Sequence, residues 1–249
     1  MIPNELLAPQ KEPAKEKSLL SLVNVVKLTL VQVSIQFLAN LAKDEQRCRT
    51  CKNPELAKPK INNVSYDIET FRGSIPISQE LLDDADYDIM DLVIEDALDQ
   101  AANTQEYEIA TILKTATEKA AAGFDGLKDV INGIKSVYNV SLVVTDSMFA
   151  AMDKVKDKTG KYRLQPDVTS PTGYSFGGRH IYRVEDTVFG QEGDMKAFVG
   201  DVKAFVTLFD RLQISVKWVD SEIYGQLLSL YVRFDVQKAD EKLVTCDLH

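Results

Sequence analysis

The chain has 249 residues, 45% of them hydrophobic, which is enough for one large domain or two small ones around a sizeable core. A formal net charge of -9 excludes a surface that coats nucleic acid throughout, because phosphate binding needs clustered Lys and Arg. Three cysteines, Cys48, Cys51 and Cys246, do not make a disulfide framework and suit a reducing compartment, so cytosolic synthesis is expected.

Residues 1 to 17, MIPNELLAPQKEPAKEK, carry three of the eight prolines among many charges and read as an extended arm. The first thirty residues lack the pattern of a secretory signal. The run from Ser18 to Ala42 is the most apolar in the chain, yet Asn24, Lys27, Gln32, Gln36 and Asn40 interrupt it too often for a membrane span. Within it, Leu19, Leu20, Leu22 and Val23 predict a short helix. From Leu28 the period becomes two, with Val31, Val33, Ile35 and Phe37 alternating with polar residues. Val64, Tyr66 and Ile68 alternate again toward Phe71, as the return strand of a long hairpin would. Its tip holds six basic residues, Lys43, Arg47, Arg49, Lys52, Lys58 and Lys60, against three acidic ones. A loop of that length without its own core is more often functional or disordered than a plain connection.

The stretch from Ile75 to Leu113 reads as one long helix capped by Ser78. Leu81, Leu82, Ala85, Ile89, Leu92, Val93, Leu98, Ala101, Ala102, Ile109, Ile112 and Leu113 keep mainly to three- and four-residue steps, which predicts one buried stripe. Between Gln79 and Glu108 lie eleven carboxylates, among them Asp83, Asp84, Asp88, Asp91, Glu95, Asp99 and Glu106, and no Lys or Arg. A helix that repels itself in this way needs either water or a basic partner over its outer face.

Ala120 to Gly126 reads as a small-residue joint. Leu127, Ile131, Ile134 and Val137 space a second helix, Ser141 to Thr145 is a short buried strand, and Asp146 is expected to cap a third helix running through Lys156. Asp157 to Val184 is rich in turn residues. Strands are predicted at 179–184, 196–200, 203–209, 212–219, 226–236 and 243–247, which makes the chain a mixed α+β protein.

No catalytic, cofactor or metal constellation emerges. Cys48-x-x-Cys51 supplies two thiolates where a structural zinc needs four ligands, and Cys246, His180 and His249 have no metal-site spacing. Gly160-Lys161 lacks the upstream glycine and following Ser or Thr of a phosphate loop. His180, between Arg179 and Ile181 in a strand pattern, reads as structural, and no Ser sits in a nucleophile elbow. Paired carboxylates abound on the long helix, but no particular pair is singled out as acid and base.

Three pieces of the sequence, in this order and spacing, carry a resemblance. They are IPISQELLDDADYDIMDLV, then DKTGKYRLQP followed by GGRHIYRVED, then GDVKAFVTLFDRLQISVKW before a strand ending in RFD. The chain resembles the major capsid proteins of tailed bacteriophages, the Hong Kong ninety-seven fold family, over nearly its whole length. The resemblance implies residues 1–27 as an N-terminal arm, 28–72 as an extended loop, 73–118 with 201–236 as a peripheral domain and 119–200 with 237–249 as an axial domain. It implies a structural protein with no enzymatic activity and no cofactor. Such a chain self-assembles as pentamers and hexamers into an icosahedral head shell, made in the bacterial cytoplasm and resident in the virion. Portal and scaffold proteins are the expected partners, with weak unspecific contact to packaged double-stranded DNA and no membrane. The basic tip is then expected to lie across the acidic helix of a neighbouring subunit, giving Lys43, Arg47, Arg49, Lys52, Lys58, Lys60, Asp83, Asp84, Asp88, Asp91, Glu95 and Asp99 as interface candidates.

Two departures from the family pattern matter. Some members weld subunits by an isopeptide bond between a loop Lys and an Asn, helped by a Glu; here SEIYGQLLSLYVRF offers Gln226 and no Asn, so no covalent cross-link is expected. Many members open with a scaffolding region that is later removed, whereas this chain opens almost directly with the arm, as a mature product or a chain served by a separate scaffold would. Two rival readings remain: an encapsulin-like compartment, and a thiol redox or zinc protein using Cys48 and Cys51.

Overall fold

The computed structural model of the protein describes residues 19–28, 32–39, 60–78, 89–121, 123–156, 160–170, 172–221, 225–239 and 244–248. Among these, two sheets and a long helix between them set the architecture. The four-stranded sheet has the order β1-β11-β12-β4, formed by β1 (Asn24–Lys27), β11 (Val206–Ser221), β12 (Gly225–Lys238) and β4 (Glu69–Ile77). Long runs of Val, Leu and aromatic residues favour these strands. β11 and β12 form an antiparallel hairpin, while β1 joins β11 in parallel, Asn24 opposite Thr207 and Lys27 opposite Asp210.

The seven-stranded sheet has the order β5-β13-β10-β6-β9-β8-β7. Its members are β5 (Thr117–Ala121), β6 (Ser141–Thr145), β7 (Gln165–Pro166), β8 (Tyr174–Phe176), β9 (Arg179–Val184), β10 (Lys196–Gly200) and β13 (Val244–Leu248). Its centre is buried on both faces, which is why β6 and β10 read as continuous apolar runs. Leu142, Val144, Ala197 and Val199 pack against α2 (Gly123–Gly133) and α3 (Asp146–Asp153) through Leu127, Ile131, Met148 and Met152. The alternate residues Val143 and Phe198 belong to a second core with Ile109, Ala110 and Leu113 of α1 (Ile89–Lys114). Leu208, Val232, Phe234 and Val236 of the four-stranded sheet join that core. Full burial of each such side chain is worth about 1.5–3 kcal/mol.

Several elements differ from their sequence reading. Ile75–Ile77 finish strand β4 instead of opening the helix: Ile75 pairs with Leu228 and Ile77 with Gln226. Pro76 is accommodated in β4, an edge strand, which is where proline is found in sheets. The described part of the spine helix starts at Ile89; Leu81, Leu82 and Ala85 lie outside the described residues. The two strands expected at 203–209 and 212–219 are one bulged strand, β11, which follows a single helical turn, α5 (Val202–Phe205). Asp201 caps that turn by accepting from Ala204 N at 3.2 Å. The cap of α3 is Thr145, whose hydroxyl accepts from Met148 N at 3.3 Å; Asp146 instead takes two hydrogen bonds from Arg183, at 2.7 and 2.9 Å. The small-residue joint at Ala120 is partly strand, because β5 pairs in parallel with β13. Val137, expected in the second helix, lies beyond its end and is exposed. Leu19, Leu20 and Ser21 make a 3-10 turn at the start of the described chain.

Candidate functional site

Helix α1 has buried and exposed sides, but they follow the sequence pattern only in part. Ala97 and Ala101 are buried, whereas Leu98, placed in the apolar stripe by spacing, is exposed. Glu106, counted with the outer carboxylates, is turned inward and accepts from Leu19 N at 3.1 Å. Asp91, Glu95 and Asp99 are exposed at four-residue steps, so they share a sector of about 80°. Asp96 stands beside them, held by Gln100 Nε2 at 2.8 Å. Eighteen residues make five turns, so Ile109 and Leu113 lie on the same side of the helix as Asp91 and Glu95. Ile109 and Leu113 are fully buried, in the core cluster that also holds Leu19, Val23 and Phe189. The same helix side is therefore buried at Ile109 and Leu113 and exposed at Asp91 and Glu95.

The basic hairpin is present as β2 (Gln32–Ala39) paired antiparallel with β3 (Lys60–Asp67), a two-stranded sheet separate from the others. Its root is tied to the four-stranded sheet. Tyr66 is buried and stacks on Phe209 with ring centroids 4.7 Å apart, and Asp67 N donates to Asp235 Oδ2 at 2.8 Å. From Asp67 to Lys60 the ladder spans about 25 Å, which sets Lys60 at the far end, opposite Ala39. Lys43, Arg47, Arg49, Lys52 and Lys58, with Asp83, Asp84 and Asp88, lie outside the described residues, as do Cys48 and Cys51.

Cys246 sits in β13 opposite Ala197, and His180 Nδ1 lies 4.0 Å from Asp167 Oδ2. Among the described residues no group of three or more His, Cys, Asp or Glu side chains could hold a metal ion. No helix among them is long and apolar enough to cross a membrane.

Asp186 is the framework residue that sequence reading missed. It opens the short helix α4 (Asp186–Phe189) and accepts from Ser147 N at 3.0 Å, from the Ser147 hydroxyl, and from Gly193 N at 3.1 Å. Burial alone would raise its carboxyl, but these donors outweigh it and hold the group below the ordinary aspartate range. Beside it, Thr145 donates to Asp194 O at 2.7 Å while Asp194 accepts from Gln191 N at 2.9 Å. The only signal for this cluster in the sequence is the D-T-V-F-G-Q-E-G-D run, whose acids and glycines mark a turn without naming its partners.

The family model described as the phage capsid family matches residues 2–242. The fold is shared with solved shells at low identity. The capsid of a native GTA particle superposes with a TM-score of 0.74 at 18% identity, covering 98% of this chain and 95% of that one. Mycobacterium phage Che8 gives 0.72 at 10% identity, with 99% and 96% covered. The mature capsid of bacteriophage PhiM1 gives 0.66 at 10% identity, with 97% and 90% covered. No curated protein matches the chain significantly.

Proposed function

The chain belongs to the phage capsid family, and from that premise we propose how its subunits hold one another. It is a structural protein, a major capsid subunit of the phage head shell and so a component of the virion. The basic tip of the β2–β3 hairpin, with Lys43, Arg47, Arg49, Lys52, Lys58 and Lys60, lies over the open half of α1 on a neighbouring subunit. There it meets Asp91, Glu95 and Asp99, together with Asp83, Asp84 and Asp88 just before them in the chain. The observation that carries this reading is the change along one side of α1, apolar and buried at Ile109 and Leu113, acidic and exposed at Asp91, Glu95 and Asp99. Each exposed ion pair contributes only about 0–1 kcal/mol. A closed shell repeats the contact at every subunit, and linked contacts reinforce one another through effective concentration.

The two sheets support a division into a peripheral part, 73–118 with 201–236, and an axial part, 119–200 with 237–249, preceded by an arm at 1–27 and an extended loop at 28–72. The subunits gather as pentamers and hexamers without covalent links. Gln226, in a stretch that offers no Asn, donates a hydrogen bond to Asp220 across the β11–β12 hairpin. The chain does no chemistry, is made in the host cytoplasm, works with portal and scaffold proteins, and touches packaged DNA weakly. Negative-stain microscopy of the purified protein across a salt series tests this reading. Faceted shells or rings of five and six at low salt, dispersing as the Debye length shrinks, are expected. Single chains at every ionic strength, or shells indifferent to salt, would contradict it.

A further inference from the structure

We propose that Glu106 is a clamp by which helix α1 fixes the chain at Leu19, the start of the 3-10 turn, to the core. Leu19 opens a 3-10 turn, so its N–H has no partner within that turn. Leu19 is only 3% exposed, and a buried N–H must be paired. The acceptor is Glu106 Oε1 at 3.1 Å, contributed from 87 residues away. Glu106 is itself 8% exposed and is the one acidic or basic side chain buried among the described residues. A carboxyl group one helical turn before the buried Ile109 and Ala110 is costly unless hydrogen-bonded, whereas a leucine there would extend the apolar layer without that cost. The arrangement makes sense as a cap supplied in trans along the chain, doing for the turn what a local N-cap side chain usually does.

Beyond Leu19 the chain is held by other means. Leu22 N closes the turn on Leu19 O at 2.9 Å, Val23 is buried, Asn24–Lys27 pair with β11, and Leu28 N donates to Asp210 O at 2.8 Å. Glu106 grips the upstream end of this anchored stretch at Leu19. The clamp is a property of one chain, so its test stands apart from shell assembly.

Hydrogen exchange followed by NMR on the dispersed full-length chain reads it out. In the wild type the Leu19 amide exchanges slowly. Glu106→Leu raises exchange at Leu19 about 10- to 100-fold while the amides of β6 stay unchanged. Glu106→Gln, whose side-chain carbonyl accepts the same bond, stays within about threefold of wild type. Continued protection of Leu19 in Glu106→Leu, or release by Gln as complete as by Leu, overturns the clamp. If Glu106→Leu does not fold, the wild type decides: a Leu19 amide exchanging as fast as in an unstructured peptide overturns the proposal, and a protected one that Glu106→Gln preserves supports it.

Discussion

Asp186 gathers separate pieces of chain onto one carboxylate, the start of α3 through Ser147 and the turn at Gly193. Its carboxyl is held below the ordinary aspartate range, so the stabilisation is fully present above about pH 4 and is lost as pH falls through the folded value. Asp186→Asn should therefore melt about 2–8 °C below wild type at pH 7, and the gap should close under acid below about pH 4, as thermal melts across a pH series would show. An equal deficit at every pH would mean that the carboxylate charge is not what matters. At this scale the sequence was only half legible. Ser, Thr and Asp compete on nearly equal terms as helix caps, so spacing put the cap on Asp146 when the neighbouring Thr145 supplies it. Which of eleven acids turns inward depends on where the 3-10 turn at Leu19 packs, and that is a tertiary fact.

The elements that read most clearly were those whose period leaves no choice. β6 and β10, buried on both faces, appear as short unbroken apolar runs, and alternation marks β2 from Gln32 to Phe37 and the second half of β3 from Val64, though not its first half. Spacing failed where two periods meet. Ile75-Pro76-Ile77 suits either a strand end or a helix entry, and only pairing with β12 decides. Likewise the two expected strands either side of Asp210 are one, because a bulge interrupts the alternation without breaking the strand. Helix α1 predicts an asymmetry between its two halves. Ile109→Ala, in the covered half, should cost about 2–5 kcal/mol in denaturant unfolding. Leu98→Ser, in the open half, should stay within about 0.5 kcal/mol. Similar costs at both sites would show that the open half is packed within the single chain.

At the scale of the whole molecule, the order of a basic hairpin, an acidic helix and a run of later strands was legible in the sequence, while the grouping of those strands into sheets was not. Charge periodicity shows that a face is acidic; it does not show that the same helix side is buried eighteen residues later. On the proposed reading, that change from Asp91 to Ile109 marks the exposed acidic stretch as the place where another copy docks. A single subunit has no means of covering every charged surface it carries, and a shell built from repeated weak contacts needs such surfaces to be complementary.

Compensating charge reversal tests that account most directly. One variant carries Lys43→Glu, Arg47→Glu and Arg49→Glu; a second carries Asp91→Lys, Glu95→Lys and Asp99→Lys; a third carries all six. Sedimentation velocity, with microscopy of the fastest fraction, should find each triple variant folded but unassembled, and the sixfold variant restored to shells. Normal shells from either triple variant, or no recovery in the sixfold variant, would contradict it.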